Sequence, residues 1–449
     1  MKRRDFLVAS TTLAALASPV LGRAGAKPCP PSKIVAAGRS AQMSCPGGPV
    51  PGWFDAMPEK TWTALGANTI NSVRPNPLPR GSHSAICTAW TGGCVDQERG
   101  ELILAANGGH ADYFGNEVYA FGLRSETPRW VRLTDPTPSE LIRDNDVLRK
   151  EPAANSDGRM RAVHGWHRCC FGAGRVWYAY QDSYTDGGGN SAPAVWSFDR
   201  GYPGLPADAD GVALKHDGGA GPWESHGLIP GVANFAGMGP AAFDRVAGRV
   251  WSFNGAYSMN QFHSVDVSNG AVQSWNFPAA PNRSVAEMWA AVAHDMRIAV
   301  VPNSLGSSVL VLDLSNPGKG LTEFVPSNPQ NWDPKGLYDV AVGTHAPQYG
   351  AVYHQGSRSI LIHCPAMLGR DLRRLEIPSR SDGSFDPKGA FRYSTVSGAG
   401  AIATTAPNYR GTYGKFNIVE DMGDGRSALV LATDTSAPVL VYKLPMGGV

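Results

Sequence analysis

One unit recurs through this 449-residue chain, and that repetition constrains the fold more than any single motif. Each copy has a short apolar segment, a Gly-containing turn commonly ending in Arg, and a run of four to six apolar residues. A loop, an alternating strand and an aromatic-bearing strand follow. The second run begins at Glu101, Arg175, Arg249, Arg297, Arg358 and Arg426, so six copies are present. The third runs match as well in Val118–Phe121, Val195–Phe198, Ser264–Val267, Val309–Leu312 and Val439–Tyr442, while copy five has the poorer Leu372–Ile377. Short apolar or alternating runs bounded by turns are strands. A repeat of this kind cannot bury its faces alone and must stack or close with its neighbours. Glycine (53) and proline (35) make up about a fifth of the chain, which excludes a mostly helical protein.

Fourth strands are marked by Trp130, Trp223, Trp275, Phe324 and an aromatic near Phe391, but the sixth copy ends at Leu444-Pro445 before any fourth strand. Thr61-Trp62-Thr63-Ala64-Leu65 is the counterpart of Trp130-Val131-Arg132-Leu133 and has no partners of its own nearby. It is therefore expected to complete the last copy and close a ring. Four-stranded units around an axis make an all-β propeller. Six blades of antiparallel strands are expected, with seven as the alternative; a parallel β-helix is disfavoured by the long, uneven repeat. Copy one carries Gly108-Gly109-His110-Ala111-Asp112-Tyr113-Phe114-Gly115-Asn116-Glu117-Val118-Tyr119-Ala120-Phe121 ahead of Trp130. A Gly-Gly after strand two and an aromatic in strand three resemble kelch-type propellers of the galactose-oxidase-like group. Later copies lack the Gly-Gly, with Gln181-Asp182, Asn254-Gly255 and Pro302-Asn303 in its place.

The N-terminus, Met1-Lys2-Arg3-Arg4-Asp5-Phe6-Leu7, leads into a mildly apolar stretch and Ala24-Gly25-Ala26. Paired arginines ahead of Phe-Leu resemble a twin-arginine (Tat) signal. The expected division is a signal peptide over 1–26, a Pro-rich tail over 27–57 and the propeller over 58–449. The Tat export machinery is then a partner, and the mature protein is periplasmic or secreted with no stable membrane insertion. An oxidising compartment permits disulfides among the seven cysteines, Cys29–Cys45 and Cys87–Cys94 among them, although spacing fixes neither. Cys169 and Cys170 are neighbours on a strand and should face opposite sides. With 40 Lys+Arg against 38 Asp+Glu, the chain lacks the charge excess of a nucleic-acid binder.

Propellers usually bind ligands where first strands and inter-strand loops converge on the central channel. Polar residues stand just before the first strands: Arg80 and His83, then Arg161, His164 and His167, Asn234, Glu287, His345 with Tyr349, and Tyr413. Loops between strands two and three add His110, Asp112, Asp182, Tyr184 and His263. His294 and His354 belong to the opposite face. This imidazole-rich rim suits one divalent metal ion or acid–base work, although no zinc-type spacing is present and the metal is unknown.

The resemblance implies a propeller enzyme acting on a carbohydrate or polysaccharide as lyase, hydrolase or epimerase. His164 or His345 would be the base, Tyr349 or Tyr413 the acid, and Arg80 or Arg161 the carboxylate clamp. Glu287 is the leading carboxylate, and His83, His110, Asp112 and His167 contact a small-molecule or glycan ligand. One alternative is a non-catalytic platform for a protein or glycan. Another is a copper-radical oxidase like galactose oxidase, drawing on His345, Tyr349, Tyr353, His354 and Cys364.

Overall fold

A computed structural model describes residues 49–446 apart from 109–111, 144–153, 182–193, 208–210, 230–238, 254–260, 279–284, 286–287, 304–306, 329–348 and 402–410. The N-terminal segment read above as a signal, Cys29 and Cys45 thus lie outside the described residues. Six sheets arrange as blades in chain order. Blade 1 is Cys94–Asp96, Glu101–Ala105, Val118–Gly122 and Trp130–Arg132; blade 2 is Cys169–Gly172, Arg175–Gln181, Ala194–Asp199 and Trp223–Leu228. Blade 3 is Ala241–Asp244, Arg249–Phe253, Gln261–Asp266 and Val272–Asn276; blade 4 is Ala291–Ala293, Ile298–Pro302, Val309–Asp313 and Leu321–Phe324. Blade 5 is Gly350–His354, Ser359–His363, Leu372–Glu376 and Arg392–Val396, and blade 6 contributes Phe416–Val419, Ala428–Leu431 and Val439–Lys443. Strand pairing within each blade is antiparallel and follows chain order. Each first strand packs beside the next, and that of blade 6 returns to blade 1, so the ring is closed.

The fourth strand of blade 6 comes from the other end of the chain, as expected. Thr61–Leu65 pairs antiparallel with the last strand, from Trp62 opposite Tyr442 to Leu65 opposite Val439. Ala399–Gly400 adds in parallel outside it, giving this blade a fifth strand. The helix Gly52–Ala56 is tied to the seam by the buried Lys443, whose Nζ donates to the carbonyls of Phe54, Asp55 and Met57 at 2.9–3.0 Å. A cation on carbonyls at a helix C-terminus is electrostatically favoured.

Period-two alternation builds the core, because successive strand residues face opposite neighbours. Leu102 and Leu104 enter the cluster shared with blade 6, whereas Ile103 and Ala105 enter the one shared with blade 2. Six such clusters fill the six spaces between blades. Cys169 and Cys170 divide between two of them. Cys87 and Cys94 are both free thiols, and the Sγ of Cys94 lies 3.3 Å from that of Cys169 in blade 2.

The residue before the second strand takes a left-handed conformation. It is glycine in blades 1–3 (Gly100, φ 65°; Gly174, 74°; Gly248, 62°) and arginine in blades 4 and 5 (Arg297, 55°; Arg358, 47°). Glycine adopts this conformation without steric cost. The second strands of blades 4 and 5 consequently start at Ile298 and Ser359, one residue after the arginines that the sequence marks. No helix among the described residues is long and apolar enough to cross a membrane.

Candidate functional site

Antiparallel order fixes what each end of the axis carries. The hairpins joining strands one to two and three to four lie at one end. The blade-to-blade connections and the two-to-three loops lie at the other, called the rim below. Arg80, His83, Asp112, Arg161, His164, His167, Tyr349 and Tyr413 all fall on rim connections or loops. His110, Glu287, His345, Asn234, Asp182 and Tyr184 lie outside the described residues.

The approaches to the first strands of blades 6, 1 and 2 share an unusual backbone. Trp90 (φ 41°), Trp166 (38°) and Tyr413 (44°) are left-handed, a conformation that costs a bulky L-residue roughly 1–2 kcal/mol. Glycines beside them let adjacent chains touch. A Cβ on Gly92 would stand 2.0 Å from the Trp166 carbonyl oxygen, and one on Gly414 would stand 2.3 Å from that of Gly93. Trp166 N–H donates to Trp90 O at 2.8 Å. The buried Lys415 donates from Nζ to Thr91 O at 2.8 Å and to Thr91 Oγ1 at 3.1 Å. Burial lowers the Lys415 ammonium to about 7. Strained backbone of this kind persists only where the surroundings over-determine it, and it clusters at functional sites.

His164 sits in the middle of this arrangement. Its Nε2 is 3.2 Å from Asp112 Oδ2, which makes an imidazole–carboxylate pair. The ring lies 4.9 Å from Trp90 and 5.2 Å from Trp166, edge-on to the latter, and Arg168 covers that same Trp166 ring at 4.4 Å. His164 is buried while the Asp112 side chain is exposed, so the pair reaches from the protein to solvent. The Asp112 loop is pinned to the segment before blade 1. Ser82 N–H donates to Asp112 O at 2.7 Å, and Phe114 N–H donates to Arg80 O at 2.9 Å. The exposed Arg80 guanidinium lies over the Phe114 ring at 3.8 Å, a cation–π contact. An imidazole held by a carboxylate beside indole faces can exchange protons with a ligand stacked there.

The other sequence candidates are placed differently. His83 is buried in a chain of hydrogen bonds, with Nδ1 2.9 Å from Asn71 Oδ1 and Nε2 3.0 Å from Tyr119 Oη. Tyr119 and Tyr113 meet the Glu117 Oε1 at 3.0 and 2.6 Å. Burial pushes the Glu117 carboxyl up and, with help from Arg74 and Arg132, the His83 imidazole down to about 4. Sequence reading missed Glu117, which anchors the loop that carries Asp112. His167 is buried, held down to about 3 by burial and then by Lys415, and its ring stands edge-on to Tyr413 at 6.5 Å. Arg161 is buried, with Nε donating to Ala154 O at 3.1 Å. Tyr413 is fully buried, and Tyr349 packs half-buried against the clusters on both sides of blade 4.

Two expectations need correction. His263 is not on a loop: it is buried on the third strand of blade 3, with Nδ1 2.8 Å from Ser274 Oγ. The copper set is also divided. Tyr353 and His354 end the first strand of blade 5, whereas Cys364 follows the second strand at the opposite end, about 13 Å of strand away. Among the described residues no group of three or more His, Cys, Asp or Glu side chains converges to hold a metal.

The end opposite the rim is bridged by side chains. Arg245 of blade 3 reaches Glu420 of blade 6 as an ion pair and donates to Gln355 Oε1 of blade 5 at 2.9 Å. Gln97 of blade 1 donates to Ile418 O at 2.8 Å and accepts from Glu420 N–H at 3.0 Å. Four hairpin turns are thereby joined around the axis.

No family model matches the chain, and no curated protein matches it. Solved structures similar to it include a streptogramin B lyase, at 10% identity and TM-score 0.39 over 82% of this chain and 96% of that one. YjhT is similar at 8% identity and TM-score 0.38, over 83% and 96%. Selenomethionine-substituted virginiamycin B lyase from Staphylococcus aureus is similar at 10% identity and TM-score 0.36, over 86% and 100%.

Proposed function

We propose that this chain is an exported, kelch-type propeller enzyme that performs acid–base chemistry on a carbohydrate at the rim between blades 1 and 2. The observation that carries the reading is His164, paired with Asp112 and set between Trp90 and Trp166. His164 is the general base in this proposal, Asp112 orients and polarises it, and the half-buried Trp90 offers an apolar face to a sugar ring. Arg80, exposed beside the same loop, suits the carboxylate of an acidic sugar. Lyase, hydrolase and epimerase chemistry all need such a proton acceptor, which typically contributes 10²–10⁴-fold in rate. The division into a Tat signal (1–26), a tail (27–57) and a propeller (58–449) belongs to the same proposal, as does release into the periplasm or beyond.

One observation favours a non-catalytic glycan-binding platform instead: His83 and His167 are both buried, and both ring nitrogens of His83 are taken up by internal hydrogen bonds. Turnover assays on acidic and neutral polysaccharides separate the two. His164→Ala should lower turnover at least 100-fold and Asp112→Asn about 10-fold, with the unfolding temperature nearly unchanged. Full activity in both variants would refute the assignment. Tight glycan binding by the wild type with no turnover on any substrate would establish the platform.

A further inference from the structure

The repeat breaks its own rule in blade 1, where the second strand opens with Glu101 while the corresponding strands of blades 2 and 3 open with Arg175 and Arg249. That exception borders a cavity of about 320 Å³ at the hairpin end, off the axis, between blades 1 and 2. Arg99, Arg124, Arg129 and Arg200 line it, and among the described residues that line it Glu101 is the only carboxylate. Glu101 is spent on Arg200 through two hydrogen bonds of 3.0 and 3.1 Å, both side chains being buried. Arg99 is balanced by Asp96 at 2.9 Å.

Arg124 is held differently. Its Nε and Nη2 donate to Asp421 O at 3.1 and 2.6 Å, and its Nη1 donates to Glu98 O at 2.7 Å. These acceptors are neutral carbonyls, so the guanidinium is fixed in place without its charge being cancelled through them. Three of the five N–H groups of the fork are used, which leaves two for a ligand. Gly100 makes room for it, since a Cβ there would lie 2.7 Å from the Arg124 stem. Arg129 adds a further guanidinium, and Val131 and Leu133 give the cavity an apolar wall.

We infer that this cavity binds the oxyanion of a small organic molecule, with Arg124 and Arg129 clamping the anionic group and Val131 and Leu133 covering its apolar part. Guanidinium forks match carboxylate and phosphate geometry. The site is separate from the rim and does not rest on the chemistry proposed there.

Isothermal titration of the full chain with inorganic phosphate, sulfate, galacturonate and neutral galactose at constant ionic strength tests it. Phosphate and sulfate against galacturonate distinguish a phosphoryl or sulfuryl group from a carboxylate, and galactose should not bind. Arg124→Gln should weaken the tightest anion at least 10-fold, and Arg124→Lys should not restore it, because the fork is lost. Since Arg124 also holds the blade 6 turn, Arg129→Gln provides an independent variant with the same expected loss. Absence of binding by the wild type overturns the inference. So does unchanged affinity in both folded variants, or a loss produced instead by Arg80→Ala at the rim.

Discussion

The two ends of this propeller are built from the same repeat and solve different problems. At the hairpin end, the turns between strands one and two are short, and the residue before the second strand is a left-handed glycine or arginine in blades 1–5. Contact across the axis is made there by side chains, with Arg245, Gln355, Glu420 and Gln97 bridging four blades. At the rim the contacts are between backbones, through Gly92, Gly93 and Gly414, and the left-handed positions hold Trp90, Trp166 and Tyr413. The hairpin end fills its left-handed turn position mostly with glycine, which adopts that conformation without steric cost. The rim instead commits large aromatics to a conformation they resist, and His164 stands among them.

The largest expected effect exploits that difference. Gly92→Ala places a methyl 2.0 Å from a carbonyl oxygen that belongs to the next blade's backbone, so the blades must separate. A loss of about 3 kcal/mol or more is expected, read as a fall in the denaturation midpoint. Gly174→Ala at the hairpin end meets nothing within 4 Å and costs only the left-handed backbone penalty, about 1 kcal/mol. Equal losses would show that the rim is no more tightly packed than the turns.

Acid sharpens the comparison next. Burial holds His83 to about 4 and His167 to about 3 at the rim, and His294 to about 3 at the hairpin end. Between pH 6.5 and these values the unfolded chain binds protons that the native state refuses, so stability falls as pH falls. Each such histidine contributes a slope of about 1.4 kcal/mol per pH unit through that window. Urea unfolding at pH 7, 6 and 5 should show the decline, and His167→Asn should flatten it by one histidine's share. An unchanged slope would mean that His167 is protonated in the native rim, contrary to its burial beside Lys415.

Much of the fold was legible in the sequence because each blade shares a period-two pattern and one turn. The closing strand could be found from Thr61–Leu65 precisely because it had no local partners. What escaped notice was contact between copies. Cys94 and Cys169 meet 3.3 Å apart because Cys94 faces blade 2 and Cys169 faces blade 1 across the space the two blades share, a relation that no pattern within one copy marks. The His164–Asp112 pair was visible only as two separate candidates, since a loop of blade 1 and the approach to blade 2 meet through tertiary packing. Nothing in local sequence marks Trp90 and Trp166 as left-handed, because both positions are normally disfavoured for tryptophan. Arg245 and Lys415 likewise acquire their roles from partners far along the chain, Glu420 and Thr91, whereas Glu117 meets Tyr113 and Tyr119 close by in sequence.

An effect smaller than that of Gly92→Ala tests whether the two ends are independent. Arg245→Met removes the ion pair to Glu420 and the hydrogen bond to Gln355. Both charged side chains keep some access to water, which places the cost between that of a surface pair and a buried one, about 2 kcal/mol. Burial is the main cause of the depressed His294 titration and Arg245 the second, so the variant should raise the His294 midpoint in an NMR titration without returning it to the ordinary value. Turnover dependent on His164 should be unchanged, because the ion pair lies beyond the length of the first strands from the rim. A fall in turnover comparable to that of His164→Ala would mean that the bridged end holds the rim in register, and the two ends would then have to be treated as one device.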